Sequence, residues 1–253
     1  MSKEKDTSWN RVANWYDEVL KDDDSYQQKV ILPNLLRRMA AVSGGKILDL
    51  GCGQGYFARA VRSSLGAKVT GVDLSDELIK IAKQKSPTGI EYCVASADRL
   101  PFEAGEVFDA VFSVLSLQNM KDLDSVFREV GKVLKSGGRF FIVLNHPCFR
   151  IPKRSAWGFD DEAGAQYRRI DSYLSESSEQ IKLHPGKNDQ TSTTTFHKPL
   201  QVYFKFLAKN GFAVNSFEEW ISHKKSQIGP RTKAEDSARK EIPMFLFIEA
   251  VKI

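Results

Sequence analysis

Long apolar runs are missing from this 253-residue chain. The longest candidate, Phe140-Phe141-Ile142-Val143-Leu144, falls far short of the roughly 18 residues a membrane-spanning helix needs, so a transmembrane protein is excluded and no membrane partner is expected. No apolar core follows the polar start Met1-Ser2-Lys3-Glu4-Lys5-Asp6, so no secretory leader is read and a cytoplasmic location is expected. Cysteine is scarce too: Cys52, Cys93 and Cys148 are odd in number and lack C-x-x-C spacing, which excludes a disulfide framework or a zinc site and suits free thiols in a reducing compartment. The four histidines (His146, His184, His197, His223) form no H-E-x-x-H, and no Ser/His/Asp or Cys/His order with supporting spacing is found. No metal site or nucleophilic side chain is expected. Internal repeats and long low-complexity stretches are also absent.

What is present is an ordinary globular composition, with 42% hydrophobic and 27% charged residues. The length allows one large domain or two small ones and a core that needs no staples. The net charge is +5, but the excess is local: Lys224, Lys225, Arg231, Lys233, Arg239 and Lys240 face only Glu235 and Asp236 within 222–240. A solvated loop accounts for this segment; a nucleic-acid patch is the alternative.

Residues 9–42 read as helical, with Trp9, Val12, Ala13, Tyr16 and Leu20 at helical spacing and an interruption at Pro33. From Gly45 short apolar runs alternate with helical ones. Strands are expected at 46–50, 68–72, 90–94, 108–115 and 139–144. Helices are expected at 56–65, after Ser75 with acids first and lysines last, and at 122–135, stopped by Ser136-Gly137-Gly138. This alternation implies right-handed crossovers and a parallel sheet covered on both faces. Residues 145–198 break the rhythm with prolines, glycines and aromatics. A helix bracketed by Pro199 and Gly211 and strands at 214–220 and 244–251 follow. The chain thus reads as one α/β domain over 1–253: a helical extension (1–44), a cofactor-binding core (45–144), a large insertion after the fifth strand (145–198), and a C-terminal helix with a strand pair (199–253).

The sharpest motif is Ile47-Leu48-Asp49-Leu50-Gly51-Cys52-Gly53-Gln54-Gly55, between a strand and a helix. Glycines there let the backbone approach a ligand and set a helix N-terminus beside it. A dinucleotide fingerprint would be G-x-G-x-x-G, and Tyr56 stands at its third glycine, which weakens that reading. Asp73 ends the next strand about 20 residues on, where a carboxylate accepts hydrogen bonds from a ribose. Together these indicate an adenosine-containing ligand; a structural glycine turn and a surface acid are the alternative.

At these residues the sequence resembles the class I S-adenosylmethionine-dependent methyltransferases. The resemblance extends through Ala97-Asp98-Arg99-Leu100-Pro101-Phe102, Phe108-Asp109-Ala110-Val111-Phe112-Ser113 and Leu134-Lys135-Ser136-Gly137-Gly138, five motifs in the family's order over about 9–144. It implies a Rossmann-like, doubly wound, mostly parallel seven-stranded sheet and S-adenosyl-L-methionine as cofactor. It places Gly51, Cys52 and Gly53 under the methionine part, with Asp49 in support. Asp73 falls on the ribose, Leu74 beside the adenine, and Ala97, Asp98 and Arg99 at the adenine edge, with Ser113 in the fourth-strand motif. Tyr16, in Asn14-Trp15-Tyr16-Asp17, is open between the cofactor's carboxylate end and helix packing.

The acceptor is expected at the carboxyl ends of the strands. Gln118 and Asn119 follow the fourth strand and either face the methyl donor or cap the next helix. Asn145 and His146 follow the fifth; His146 either acts on an acceptor's proton, orients the acceptor, or holds the loop. His197 is a second catalytic candidate. Tyr173 and other aromatics of the insertion suit either a lid over a small organic acceptor or a satellite core. The expected function is methyl transfer to O, N or C of a small molecule. Its alternatives are an RNA methyltransferase using 222–240, and a non-catalytic module that binds S-adenosylmethionine or S-adenosylhomocysteine.

Overall fold

The computed structural model describes residues 9–10, 22–103, 107–182 and 192–253. Val12, Ala13, Tyr16, Leu20 and His184, singled out in the sequence, lie outside the described residues. The expected interruption at Pro33 is real. A π-turn, Gln27–Ile31, runs directly into helix α1, Leu32–Met39, with Pro33 in its first turn. Proline has no N–H to give the carbonyl four residues back. The chain changes pitch there instead, and the Leu32 N–H bonds Gln27 O.

Five strands follow in the expected places: β1 Lys46–Leu50, β2 Lys68–Asp73, β3 Ile90–Val94, β4 Phe108–Val114 and β5 Leu134–Asn145. Between them run helices α2 (Tyr56–Leu65), α3 (Asp76–Lys85) and α4 (Leu123–Val133). Ser75 caps α3 by accepting the Leu78 N–H, and Asp122 caps α4 through Ser125 N. Helix α4 ends at Val133, two residues before the expected end. Leu134 turns into the core and pairs with Phe108, and the Ser136-Gly137-Gly138 stretch becomes a bulge inside β5 before Arg139 pairs with Ala110.

With β10 (Phe212–Trp220) and β11 (Phe245–Lys252) these strands form a seven-stranded sheet of order β3-β2-β1-β4-β5-β11-β10. Neighbours from β3 to β5 pair in parallel, while β11 is antiparallel to both β5 and β10. Both faces are covered, so alternate residues of one strand serve opposite cores: Phe141 and Val143 pack towards α1 and α2, Phe140 and Ile142 towards α4 and helix α5, Leu200–Lys209. This two-sided burial is why the strands read as continuous apolar runs. The sheet also buries acidic side chains, Asp49 of β1 and Glu249 of β11. Glu249 of β11, 1% exposed, accepts from Arg38 and Arg139 at 2.6 Å each.

The insertion is more regular than its sequence suggests. It contains two hairpins, β6 (Ser155–Asp160) with β7 (Ala165–Ile170) and β8 (Ser177–Lys182) with β9 (Ser192–His197). Nor is the basic segment simply a solvated loop. It includes helix α6, Thr232–Glu241, packed against β7. Some of its cations are engaged: Lys224 pairs with Asp24, and Arg231 bonds Asp161 and lies 4.1 Å over the Phe159 ring. No helix among the described residues is long and apolar enough to cross a membrane.

Candidate cofactor site

A cavity of about 520 Å³ opens at the carboxyl ends of β1, β2 and β4, a size suited to a nucleoside-bearing ligand. Of the expected residues, Asp49, Gly51, Cys52, Gly53, Asp73, Leu74, Ala97, Asp98 and Asn119 line it. Tyr16 lies outside the described residues.

The turn after β1 is built by hydrogen bonds from Gly51 N and Cys52 N to Val72 O on the neighbouring strand. Gly51 has φ +74, and a Cβ there would stand 2.5 Å from Ser116 Cβ, so only glycine fits. Beneath it, Ser113 and Ser116 each donate to Leu50 O at 3.0 Å. Ser113 therefore supports the turn from below and does not line the cavity. Asp73 fastens the far side: Oδ2 accepts Gly53 N and Oδ1 accepts Ser75 N, both at 2.9 Å. Burial raises its carboxyl above the usual range, against the pull of those N–H groups.

Asp49 is the electrostatic centre of the site. It is 2% exposed, and its Oδ2 has no hydrogen-bond partner. Burial first, and the nearby Asp73 second, push its carboxyl well above the usual range, while the Ala58 N–H and Arg59 draw it down. Two close carboxylates, one with an orphaned oxygen, call for a positively charged ligand. S-adenosylmethionine fits: it carries a sulfonium and an ammonium beside a ribose whose hydroxyls suit Asp73. Asp49, Asp73 and the Gly51-Cys52-Gly53 backbone are the groups that would hold it.

Several lining residues escaped the sequence reading. Trp9 and Lys121 line the cavity, and so do Thr193 and Thr194 of β9. The β8–β9 hairpin is tied down beside them, since Thr195 donates to Gln118 O and Lys198 Nζ to Met120 O, both at 3.3 Å. Only tertiary structure brings these groups to the cofactor loop; Trp9 alone had a local signal, as an aromatic ahead of the core.

The remaining candidates lie off the cavity. Arg99 is exposed. Gln118 does not cap the next helix: its Oε1 accepts the N–H of the exposed Asn145 at 3.3 Å, linking the ends of β4 and β5. The Tyr173 hydroxyl accepts Leu200 N at 3.0 Å and the Cys148 thiol at 3.4 Å. His197, 4% exposed, donates Nε2–H to Tyr173 O at 2.7 Å. His146 is 2% exposed; its Nδ1 accepts Cys148 N, which fixes the proton on Nε2, where it is donated to Glu219 Oε1 at 2.7 Å. Both ring nitrogens are thus committed. Burial holds the imidazole below its usual pKa, with Glu219 opposing.

Comparison with known proteins agrees with this geometry. A family model described as "Methyltransferase domain" matches residues 48–142. Demethylmenaquinone methyltransferase of Lactococcus lactis is 33% identical over 154 residues, 58% of this chain and 61% of that protein. The ubiquinone biosynthesis O-methyltransferase of Xanthomonas oryzae pv. oryzae is 35% identical over 104 residues, 40% of this chain and 43% of that protein. The chain thus spans less than two thirds of either relative's length. A solved S-adenosylmethionine-dependent methyltransferase from Mesorhizobium loti superposes with a TM-score of 0.69 at 31% identity, covering 91% of this chain and 99% of its own. With the fold, the acidic cavity and a likeness running the full length of that structure in agreement, this chain belongs to the S-adenosylmethionine-dependent methyltransferases.

Proposed function

We propose that the protein transfers a methyl group from S-adenosylmethionine to O, N or C of a small-molecule acceptor. The observation that carries the reading is the cavity itself, lined by Asp49 with its orphaned Oδ2 and by Thr193 and Thr194 of the insertion. The cofactor supplies a methyl already activated by its sulfonium, so displacement needs an acceptor lone pair held in line and water kept out. Asp49 and Asp73 hold the donor at one end. Thr193 and Thr194 at the wall exclude solvent and give the insertion its role as substrate cover. Among the described lining residues there is no histidine, and the His146 and His197 rings are bonded elsewhere. The reading therefore favours an acceptor that ionises in solution or carries a free lone pair. His146, by its bonds to Cys148 and Glu219, shapes the loop after β5.

Small-molecule acceptors are also what the names of the quinone-pathway relatives indicate. The RNA reading is disfavoured because Lys224 and Arg231 are spent on Asp24 and Asp161. The test uses S-adenosylmethionine with a radiolabelled methyl, cell extract, and Asp73→Ala as control. Label in the small-molecule fraction supports the proposal, and label in RNA overturns the acceptor class. No label in any fraction, with cofactor binding demonstrated, turns the reading towards a binding module.

A further inference from the structure

The loop after β5 presents an arginine for which the described residues supply no counterion. Phe149 N and Arg150 N both donate to His146 O, closing a turn that the His146 ring stiffens by packing 4.8 Å from Phe149. Arg150 stands on this turn, half-buried, and its side chain makes no hydrogen bond or ion pair among the described residues. Two more guanidiniums converge on it from other elements. Arg168 of β7 donates Nε–H to Phe149 O at 2.9 Å and reaches Ser155 Oγ at 2.8 Å, with its plane over Trp157. Helix α6 packs on β7 and brings Arg239, which bonds Ser226 Oγ at 3.2 Å.

Arg239 and Arg168 both repel Arg150, and no carboxylate among the described residues pairs with it. Nearby carboxylates are spent elsewhere. Glu219 serves His146, Asp24 serves Lys224, and Asp236 accepts Ser226 N at 2.8 Å while its charge acts on Arg239 and Lys240, which leaves Arg150 as the guanidinium without a counterion among the described residues. A half-buried cation set against others without a counterion of its own is costly, and an anion relieves it. A guanidinium with free donors matches the paired oxygens of a carboxylate or phosphate.

The position relative to the cofactor is equally telling. β5 lies beside β4, whose following residues Leu115 and Ser116 line the cavity. Burial raises the phenol of Tyr56, another lining residue, with Asp23 adding to it, and Tyr26 three residues later lies within electrostatic reach of Arg150. The segment 23–26 thus runs from the cavity to the arginines.

We propose that Arg150, backed by Arg168 and Arg239, binds the carboxylate or phosphate of an anionic acceptor, one strand away from the cavity. This rests on the methyltransferase reading for the word acceptor, but the anion site stands on its own residues. The test is calorimetry with benzoate and with inorganic phosphate, at constant ionic strength and saturating S-adenosylhomocysteine. At least one anion is expected to bind, and the tighter of the two identifies the acceptor's charged group. Arg150→Gln is expected to weaken it at least tenfold and Arg150→Lys to weaken it less. Lys225→Gln, an exposed charge loss on the neighbouring segment, is expected to leave it unchanged. Because the Arg150 side chain makes no hydrogen bond or ion pair among the described residues, Arg150→Gln is also expected to melt no lower than the parent in the absence of added anion. Failure of both anions to bind, full binding by Arg150→Gln, or equal weakening by Lys225→Gln would overturn the proposal. Loss of S-adenosylhomocysteine binding in the parent protein would instead strike the methyltransferase reading, and is read out separately.

Discussion

Replacing Asp49 by asparagine should move stability and cofactor affinity in opposite directions. In the free protein Asp49 is a 2% exposed carboxylate with an orphaned Oδ2, next to a second acid, Asp73. Asparagine keeps the shape, removes the like-charge repulsion and lowers the desolvation cost. An unsatisfied buried group costs about 1–3 kcal/mol, so recovery of about 1 kcal/mol is a reasonable expectation. For a chain of this size that corresponds to a rise of about 2–4 °C in Tm. With ligand the sign reverses, because the charge that repelled Asp73 attracts the cationic cofactor. Loss of a hydrogen bond to a charged partner costs about 1.5–3 kcal/mol, roughly a 10- to 150-fold weaker Kd for S-adenosylmethionine. Thermal melting of the free protein and calorimetry with the cofactor measure the two halves. The parent's affinity should also rise with pH as the raised Asp49 carboxyl ionises. A variant that melts lower and binds S-adenosylmethionine with parental affinity would refute the reasoning, since Asp49 would then be a structural acid.

Gly51→Ala meets Ser116 at 2.5 Å and a left-handed φ together; it should cost about 1–2 kcal/mol from the backbone alone and abolish S-adenosylhomocysteine binding, read by melting and calorimetry. Glu249→Gln leaves Arg38 and Arg139 without their shared carboxylate and should destabilise by about 3 kcal/mol in urea titration; a loss under 1 kcal/mol would mean the arginines re-solvate freely. For His146 the folded pKa is lowered, so the unfolded chain takes up its proton first as pH falls. Its contribution is complete above the unfolded value near 6.5 and declines as pH drops through the window below it. A His146→Gln variant should show a flatter stability profile across that window.

The sequence reveals the cofactor half because its signals are local. Strands buried on both faces read as unbroken apolar runs, and β1 and α2 have the expected bounds. Ser75 and Asp122 cap through atoms three residues away. The insertion lacks such contrast. β8 (SSEQIK) and β9 (STTTFH) are mostly polar on both faces, so neither alternation nor hydrophobicity marks them as strands. Helix α6 (TKAEDSARKE) buries only Ala238, which leaves no apolar stripe to detect. Among site residues, Asp49 and Asp73 were legible because strand, glycine turn and acid follow in fixed order. Thr193 and Thr194 were not, since their approach to the cavity depends on packing across more than seventy residues of chain, as the Thr195–Gln118 bond illustrates. The commitment of the His146 ring to Cys148 and Glu219 was hidden for the same reason.

The placement of β11 has a consequence for synthesis. It comes last of the strands in the chain, yet lies between β5 and β10, pairing with both. During translation β5 is complete at Asn145, but its open edge finds its partner only when Phe245 onward emerges. At ordinary elongation rates that interval is about 5–20 s. Throughout it the Phe140–Leu144 edge presents unpaired peptide groups flanked by large apolar side chains, the surface most prone to pair with another nascent chain. The yield of folded protein should therefore depend on how fast the ribosome covers the insertion, and on whether a chaperone shields that edge in the meantime.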